Sequence, residues 1–207
     1  MGGDKSELPW RGQSFLEHAI SRMQEVCDRV FVLGESTTAT VPALEDTFAG
    51  DGPLAGLHTA LVHSATDWNL LLAIDMPLVP ARLLKFIVSH CERSKRAVVP
   101  KIAPDVPTES VQSEENDTAP ILQPLCAAYH IRLLPVVERA LSQRELSIRR
   151  LLQHAAQGMM GEEFKAMRVI DQYELSSAGF AADMLMNVNT PADFERAKRL
   201  AERLNVQ

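Results

Sequence analysis

Two short runs of apolar residues constrain the possible folds of this chain more than any other feature. They lie at residues 29–33 (RVFVL) and 69–74 (NLLLAI). Neither run alternates between polar and apolar residues, which is typical of strands buried on both faces. Each run follows a segment with helical periodicity, at residues 14–27 and 54–63. This alternation predicts an α/β fold in which helices flank a mostly parallel central sheet.

The same alternation continues to the end of the chain. Further strands are predicted at residues 97–99, 125–129 and 165–170, and further helices after Pro80 and at residues 132–142, 147–156 and 191–204. Thr190, Pro191 and Asp193 have the types expected at the start of the last helix. Residues 101–120 are rich in Pro, Ser, Glu and Asp, which predicts a loop or a disordered insertion. Without a repeat or a credible boundary, residues 1–207 are predicted to form a single domain.

The composition excludes several classes of protein. A net charge of -6 argues against non-specific binding to nucleic acid, although a local Lys or Arg can still bind a small anion. No apolar run reaches the length of about 18 residues that a membrane span needs. Cys27, Cys91 and Cys126 are widely spaced, which indicates neither a zinc site nor a disulfide framework. We therefore expect a cytoplasmic protein that binds no membrane.

Asp75 directly follows the second apolar run, in the segment IDMP. Ligands of open parallel sheets bind beyond the carboxyl ends of the strands, so this carboxylate is predicted to lie at the edge of a crevice. Mg²⁺ prefers such a site, where one or two carboxylates act together with substrate phosphates. The alternative is a carboxylate that only shapes the turn before Pro77.

Two glycine-containing segments are weaker signals. In DGPLAG, Gly52 and Gly56 bracket a predicted helix start where backbone N–H groups could meet a ligand, or where the chain merely turns. In MGGDK, Lys5 could place an ammonium group against phosphate oxygens, or it could be solvated. The segment NVNTP adds Asn187 and Asn189 before the last helix, more polar side chains than a helix cap requires.

Taken in order, these segments resemble the molybdenum cofactor guanylyltransferase family. The resemblance spans nearly the whole chain, apart from residues 101–120. It is carried by MGGDKSELPWRGQSFLEH, EDT, DGPLAGL, LLAIDMPLV, QPLCAAYH, SIRRLL and NVNTPADFERA. The combination of LPWRG, QPLCA and NVNTP is the most specific part.

The resemblance implies a Rossmann-like nucleotidyltransferase that joins GMP from MgGTP to molybdopterin and releases pyrophosphate. Lys5, Asp46 and Asp75 match residues of the nucleotide site, with Lys5 and Asp75 in catalytic roles and Asp75 as the Mg²⁺ ligand. The resemblance places Asn187, Asn189 and, on weaker grounds, Gln123 on the side of the second substrate. The implied partners are GTP and the molybdopterin cofactor, and they extend to molybdenum-insertion proteins and molybdoenzyme chaperones.

The start of the chain departs from the family pattern, which has a strand and a loop of the form LAGGxSxRMGxDK. This leads to the hypothesis that the reading frame begins upstream of Met1; the alternative is a degraded copy with little activity. Two other functions stay open: a cytidylyltransferase or sugar-phosphate nucleotidyltransferase of the same fold, and a non-catalytic module that binds the cofactor.

Overall fold

The computed structural model describes residues 7–34, 40–45, 52–103, 121–156 and 167–204. The helices in these ranges are α1 (Phe15–Gln24), α2 (Gly52–Val62), α3 (Ala81–Ser89), α4 (Leu134–Ser142), α5 (Ile148–Ala156), α6 (Gln172–Ser177) and α7 (Pro191–Arg203). The strands are β1 (Pro9–Trp10), β2 (Gln13–Ser14), β3 (Val32–Leu33), β4 (Ala43–Leu44), β5 (Trp68–Leu72), β6 (Ala97–Ile102), β7 (Ile121–Leu122), β8 (Cys126–His130) and β9 (Met167–Ile170). Short 3-10 helices span Ile131–Leu133 and Ala182–Leu185. Among the described helices, none is both long and apolar enough to cross a membrane.

Side chains at the helix starts explain why α1 and α7 begin where they do. Ser14 caps α1, where Glu17 closes a reciprocal pair of hydrogen bonds with the cap residue. Thr190 and Asp193 form the same arrangement at α7, with Pro191 in the first turn. The prediction that the last helix starts at Pro191, with Thr190 as its cap residue, is therefore confirmed.

The main sheet has the order β5-β8-β6-β7, and β9 pairs with β6. The prediction of a mostly parallel sheet needs correction at the level of hydrogen bonding. Among the described strands of the main sheet, only β6 and β9 pair in parallel, whereas β8 runs antiparallel to both β5 and β6, and β7 runs antiparallel to β6. Because β8 lies between β5 and β6 and opposes both, β5, β6 and β9 still point the same way. The strands are thus mostly parallel in direction although most of their pairings are antiparallel.

Helices cover the main sheet on both faces. Leu71 of β5 packs into a core formed with α2, α4 and α5, whereas Leu70 and Leu72 pack into a second core formed with α3 and α6. Successive side chains of a strand point to opposite faces, so one short apolar run supplies both cores. This is the three-layer α/β arrangement that the alternation of helices and strands predicts.

A small hairpin packs against the last helix. β1 and β2 pair antiparallel around Arg11 and Gly12, which have φ angles of 50° and 84°. Trp10 inserts edge-on between Phe15 and Phe194, and Arg11 donates to the carbonyl oxygen of Ala201 at 3.0 Å. The segment PWRG therefore has a packing role that its sequence alone did not reveal.

A cavity of about 810 Å³ lies between β3 and β5, and we call it the strand groove. Its walls come from α1, from the end of α2 and from α3. β3 and β5 are half-buried along their whole length. The packing of β5 into both cores agrees with the prediction of a strand buried on both faces, and the remaining exposure of β3 and β5 is at the edges that line this cavity.

Candidate active site

Asp75 lies just beyond the carboxyl end of β5, as predicted. The backbone N–H of Ala73 donates to the carbonyl oxygen of Leu125 at 2.8 Å, which continues the contact between β5 and β8 by one residue. The chain then turns, and the N–H of Met76 donates back to Ala73 at 3.3 Å. Residues 76–80 are buried, whereas Asp75 itself is half-buried and lines the strand groove. The carboxylate is thus held by rigid backbone at the edge of a cavity.

The segment that contains Asn187 and Asn189 is bonded to the segment that contains Asp75. The backbone N–H of Val188 donates to the carbonyl oxygen of Asp75 at 2.8 Å. Val188 is fully buried, while the asparagines on either side of it are exposed. Tertiary structure therefore brings together two of the motifs that the sequence singled out.

Capping accounts for the backbone of this segment and not for its amide side chains. The backbone N–H groups of Asn189 and Thr190 both donate to Oδ2 of Asp193, at 3.1 Å and 2.8 Å. Desolvation opposes ionisation of Asp193, but hydrogen bonds from Thr190 and Asn189 outweigh it and lower the pKa of this carboxyl group. The cap is complete without the side chain of Asn187, which is left to line a neighbouring cavity.

That cavity has a volume of about 310 Å³, and we call it the amide pocket because Gln123 and Asn187 both line it. Gln123 follows β7, and its backbone N–H donates to the carbonyl oxygen of Pro100 at 2.8 Å. Only 7% of Gln123 is exposed, so its side chain is fixed within the pocket wall. The two residues predicted to share one side of the site therefore do line one cavity.

Two arginines line the amide pocket, and sequence reasoning gave neither a role. Arg196 of α7 donates to Oδ1 of Asp183 at 3.0 Å. Arg149 is an exposed residue in the first turn of α5, and within the described ranges its guanidinium group has no hydrogen-bond or ion-pair partner. The motif SIRRLL shows that Ile148, Leu151 and Leu152 face the core, but it cannot show that Arg149 reaches a cavity.

His18 supports the loop after β5 from the opposite side. Its Nε2 atom lies 3.0 Å from the carbonyl oxygen of Pro77. Burial is the largest cause of a lowered pKa for His18, and the nearby charge of Arg22 adds to it. The ring is therefore neutral at pH 7, with its Nε2–H donating to Pro77. The helical pattern had indicated no role for this histidine.

The segment DGPLAG was predicted to offer free backbone N–H groups to a ligand, and one of these groups is already bonded. The backbone N–H of Leu54, which a ligand could have used, donates to the carbonyl oxygen of Leu146 at 3.3 Å. Gly52 has a φ of 69°, and a Cβ atom there would lie 3.2 Å from the same carbonyl oxygen. The need for glycine at this position is therefore explained by close contact with Leu146.

Lys5 and Asp46 lie outside the described residues. Within the described ranges, no group of three or more His, Cys, Asp or Glu side chains could hold a metal ion. A single carboxylate can still serve Mg²⁺, which keeps waters and substrate phosphates among its ligands. Burial raises the pKa of the thiols of both Cys91 and Cys126 to about 12, so these cysteines are protonated and are no candidates for nucleophiles.

Solved structures that share this architecture include a molybdopterin-guanine dinucleotide biosynthesis protein and a cytidylyltransferase. A structure from Archaeoglobus fulgidus, described as molybdopterin-guanine dinucleotide biosynthesis protein A, matches 98% of this chain and 92% of its own, with a TM-score of 0.66 and 20% identity. The 2-C-methyl-D-erythritol 4-phosphate cytidylyltransferase from Thermus thermophilus matches 96% of this chain and 94% of its own, with a TM-score of 0.71 and 16% identity. At these identities the likeness establishes the nucleotidyltransferase fold.

Sequence comparison identifies the family. Residues 1–159 match the profile of the MobA-like NTP transferase domain, so the chain belongs to this family and is a nucleotidyltransferase. Two relatives are named probable molybdenum cofactor guanylyltransferase. The protein from Carboxydothermus hydrogenoformans is 25% identical over 203 residues, which cover 97% of this chain and 89% of that protein. The protein from Deinococcus radiodurans is 29% identical over 209 residues, which cover 99% and 91%.

Proposed function

We propose that this nucleotidyltransferase transfers GMP from GTP to the molybdenum-molybdopterin cofactor, giving the guanine dinucleotide form and pyrophosphate. The observation that carries the proposal is the hydrogen bond from Val188 to Asp75. This bond holds the backbone that carries the carboxylate after β5 against the backbone that carries the amides before α7, which suits a transferase with two substrates. The names of the relatives from two bacteria support the choice of substrates. We propose that residues 1–207 act as one domain in the cytoplasm.

On the nucleotide side, the proposed residues are Asp75, Lys5 and Asp46. Asp75 suits Mg²⁺ because it presents a hard oxygen ligand at the mouth of a cavity, where triphosphate oxygens can complete the coordination. Mg²⁺ held there would neutralise part of the negative charge of the triphosphate. The roles of Lys5 on the phosphates and of Asp46 in the GTP site rest on the family resemblance.

On the cofactor side, the proposed residues are Gln123, Asn187 and Asn189, and we add Arg149 because it lines the same cavity as Gln123 and Asn187. Gln123 and Asn187 offer amide donors and acceptors from the wall of the amide pocket, which suits the polar edge of a pterin ring. The guanidinium group of Arg149 offers paired donors to an anion, which suits a phosphate. The acceptor substrate carries both kinds of group.

The reaction needs alignment and charge neutralisation more than proton transfer. An oxygen of the cofactor phosphate attacks the α-phosphorus of GTP, and the bond from that phosphorus to the oxygen bridging to the β-phosphorus breaks. The electron pair of that bond leaves with pyrophosphate. The attacking phosphate is already ionised at neutral pH, so no general base is required, and holding two anions in line supplies much of the catalytic effect.

The proposal is tested by incubating the purified chain with molybdopterin cofactor, Mg²⁺ and one nucleoside triphosphate at a time. Pyrophosphate release is measured, and the dinucleotide product is identified by mass spectrometry. We expect turnover with GTP and little with CTP, ATP or UTP. CTP as the preferred donor would replace the proposal by a cytidylyltransferase. Cofactor binding without turnover of any triphosphate would favour a non-catalytic module.

A further inference from the structure

His18 is the polar exception on the buried face of α1. The other buried residues of this helix are Phe15, Leu16 and Ile20, all of them apolar. An apolar side chain would fill the position of His18 at a lower cost of desolvation than an imidazole ring. The bond from the ring to the carbonyl oxygen of Pro77 accounts for the choice, because a buried backbone carbonyl requires a hydrogen-bond donor.

The turn that carries Asp75 is held from two distant parts of the chain. The carbonyl oxygen of Pro77 lies 3.0 Å from Nε2 of His18, and the carbonyl oxygen of Asp75 accepts from the backbone N–H of Val188 at 2.8 Å. One bond comes from α1 and the other from the segment that leads into α7. The position of the carboxylate therefore depends on both contacts, although neither involves the carboxylate itself.

Trp10 of the β1–β2 hairpin packs against both of these supports. Its ring meets the ring of His18 edge-on, with 6.4 Å between the centroids, and the ring of Phe194 at 6.1 Å. Only 3% of Trp10 is exposed, and its apolar cluster also contains Leu78 and Val188. The hairpin thus packs against the helix that supports the Asp75 turn and against the first turn of α7.

We propose that His18 is a positioning residue for the transfer reaction, with Trp10 packed against its ring. It fixes the turn that carries Asp75 relative to the segment that carries Asn187 and Asn189. The inference rests on the proposed function. A transfer between two anions depends on their alignment, so a small displacement of this turn lowers the rate while each substrate keeps its own contacts.

The first test compares His18→Gln with His18→Met in the full chain. The two side chains have similar lengths, but only Gln places an N–H where the imidazole has Nε2. We expect kcat to fall by about tenfold or more in His18→Met and to stay within about threefold of the parent in His18→Gln. The KM for GTP should change less than about threefold in both. Activity is expressed per folded molecule, measured by circular dichroism well below the unfolding temperature of each variant.

His90→Met is the matched control for loss of a histidine that contacts a carbonyl group. Nδ1 of His90 lies 2.8 Å from the carbonyl oxygen of Phe86, at the end of α3 and outside the proposed site. This variant should keep the kcat of the parent. Equal losses of kcat in His18→Gln and His18→Met, or no loss in either, would overturn the inference. A change confined to the KM for GTP would overturn it as well.

Hydrogen exchange gives a second measurement that does not depend on turnover. The amide of Val188 should exchange at least about tenfold faster in His18→Met than in His18→Gln, because the turn that accepts its bond is loosened. The reference is the amide of His130, which donates to the carbonyl oxygen of Arg96 at 2.8 Å at the other end of the sheet. Its exchange corrects for any change in global stability.

The two measurements separate this inference from the proposed function. An inactive parent that shows the difference in exchange would reject the proposed substrates and retain His18 as the residue that positions the turn. Equal exchange of the Val188 amide in the two variants would overturn the inference, whatever the activity. If His18→Met does not fold, His18→Asn takes its place, because its amide is one methylene shorter than that of Gln.

Discussion

Val188 donates its backbone N–H to the carbonyl oxygen of Asp75 across 2.8 Å, and this bond joins the turn after β5 to the segment that leads into α7. Val188 is fully buried between two exposed asparagines. The bond therefore sets where the amides lie relative to the carboxylate. Asp75 lines the strand groove and Asn187 lines the amide pocket, so the bond joins a residue of one cavity to the chain neighbour of a residue of the other.

Val188→Pro removes the donor of this bond while keeping an apolar residue. We expect it to lower the free energy of unfolding by about 1–3 kcal/mol more than Val188→Ala, because the carbonyl of Asp75 loses its partner. Urea unfolding of both variants measures the difference. Transferase activity should fall further in the proline variant than in the alanine variant at a temperature where both are folded. Equal losses in the two variants would show that the bond does not position the site.

Asp75→Asn keeps the shape of the side chain and removes its charge. We expect kcat/KM for GTP to fall by about 10²-fold or more, the scale of losing one key electrostatic group. The matched control is Asp67→Asn, which removes an exposed carboxylate just before the other end of β5. The control should stay within about threefold of the parent. Activity of Asp75→Asn within the same range would refute the proposed role.

Arg149→Ala and Arg150→Ala compare two exposed neighbours in α5, of which only Arg149 lines the amide pocket. A hydrogen bond to a charged group contributes about 1.5–3 kcal/mol. We therefore expect the KM for the molybdopterin substrate to rise roughly tenfold or more in Arg149→Ala, with the KM for GTP unchanged. Arg150→Ala should leave both constants unchanged. A rise in the KM for GTP alone would place Arg149 on the nucleotide side.

Gly52→Ala and Gly56→Ala should change stability in opposite directions. Gly52 has a φ of 69°, and its added methyl group would lie 3.2 Å from the carbonyl oxygen of Leu146. We expect a loss of roughly 1–2 kcal/mol there, the usual cost of this backbone region for a residue with a Cβ atom. At Gly56, within α2, the methyl group meets only Leu33 at 3.6 Å, so a gain of about 0.5–1 kcal/mol is expected. Thermal unfolding of the two variants side by side tests both signs.

Stability should fall as the pH is lowered through about 6.5, in part because of His18. Burial and the neighbouring charges of Arg22 and Arg11 lower the pKa of this ring in the folded state. The unfolded chain therefore binds a proton at the ordinary pKa of about 6.5 that the folded chain resists, and acid favours unfolding. His18→Gln cannot take up this proton. Urea titrations at pH 7.5 and 5.5 should show a smaller loss of stability in the variant than in the parent.

Most elements of the fold could be predicted from local sequence. The strands at 97–102 and 126–130 and the last helix follow from apolar runs and from the cap at Thr190, which depend on near neighbours. The position of β8 between β5 and β6 could not be predicted, because no local pattern records which strands become neighbours. The hairpin around Arg11 was missed for a related reason: its stability comes from Trp10 packing on Phe194, far away in the chain.

The residues of the candidate site also fall into those that the sequence could predict and those that it could not. Asp75 and Asn187 were singled out because polar residues stood next to an apolar run and a helix cap, whereas Gln123 was named only from the family resemblance. Arg149 and His18 carried no such signal, since each occupies an ordinary position on an amphipathic helix. Asp46 and Lys5 remain predictions from the family resemblance.

The sequence by itself determined the alternation of helices and apolar strands, the helix cap at Thr190 and the family. Each of these depends on residue types at short spacing, which a linear chain displays directly. Only the tertiary structure decided that β8 runs antiparallel to its neighbours, that Val188 bonds to Asp75, and that the strand groove lies along β5. Those features arise from contacts between distant segments, whose geometry depends on how whole elements pack.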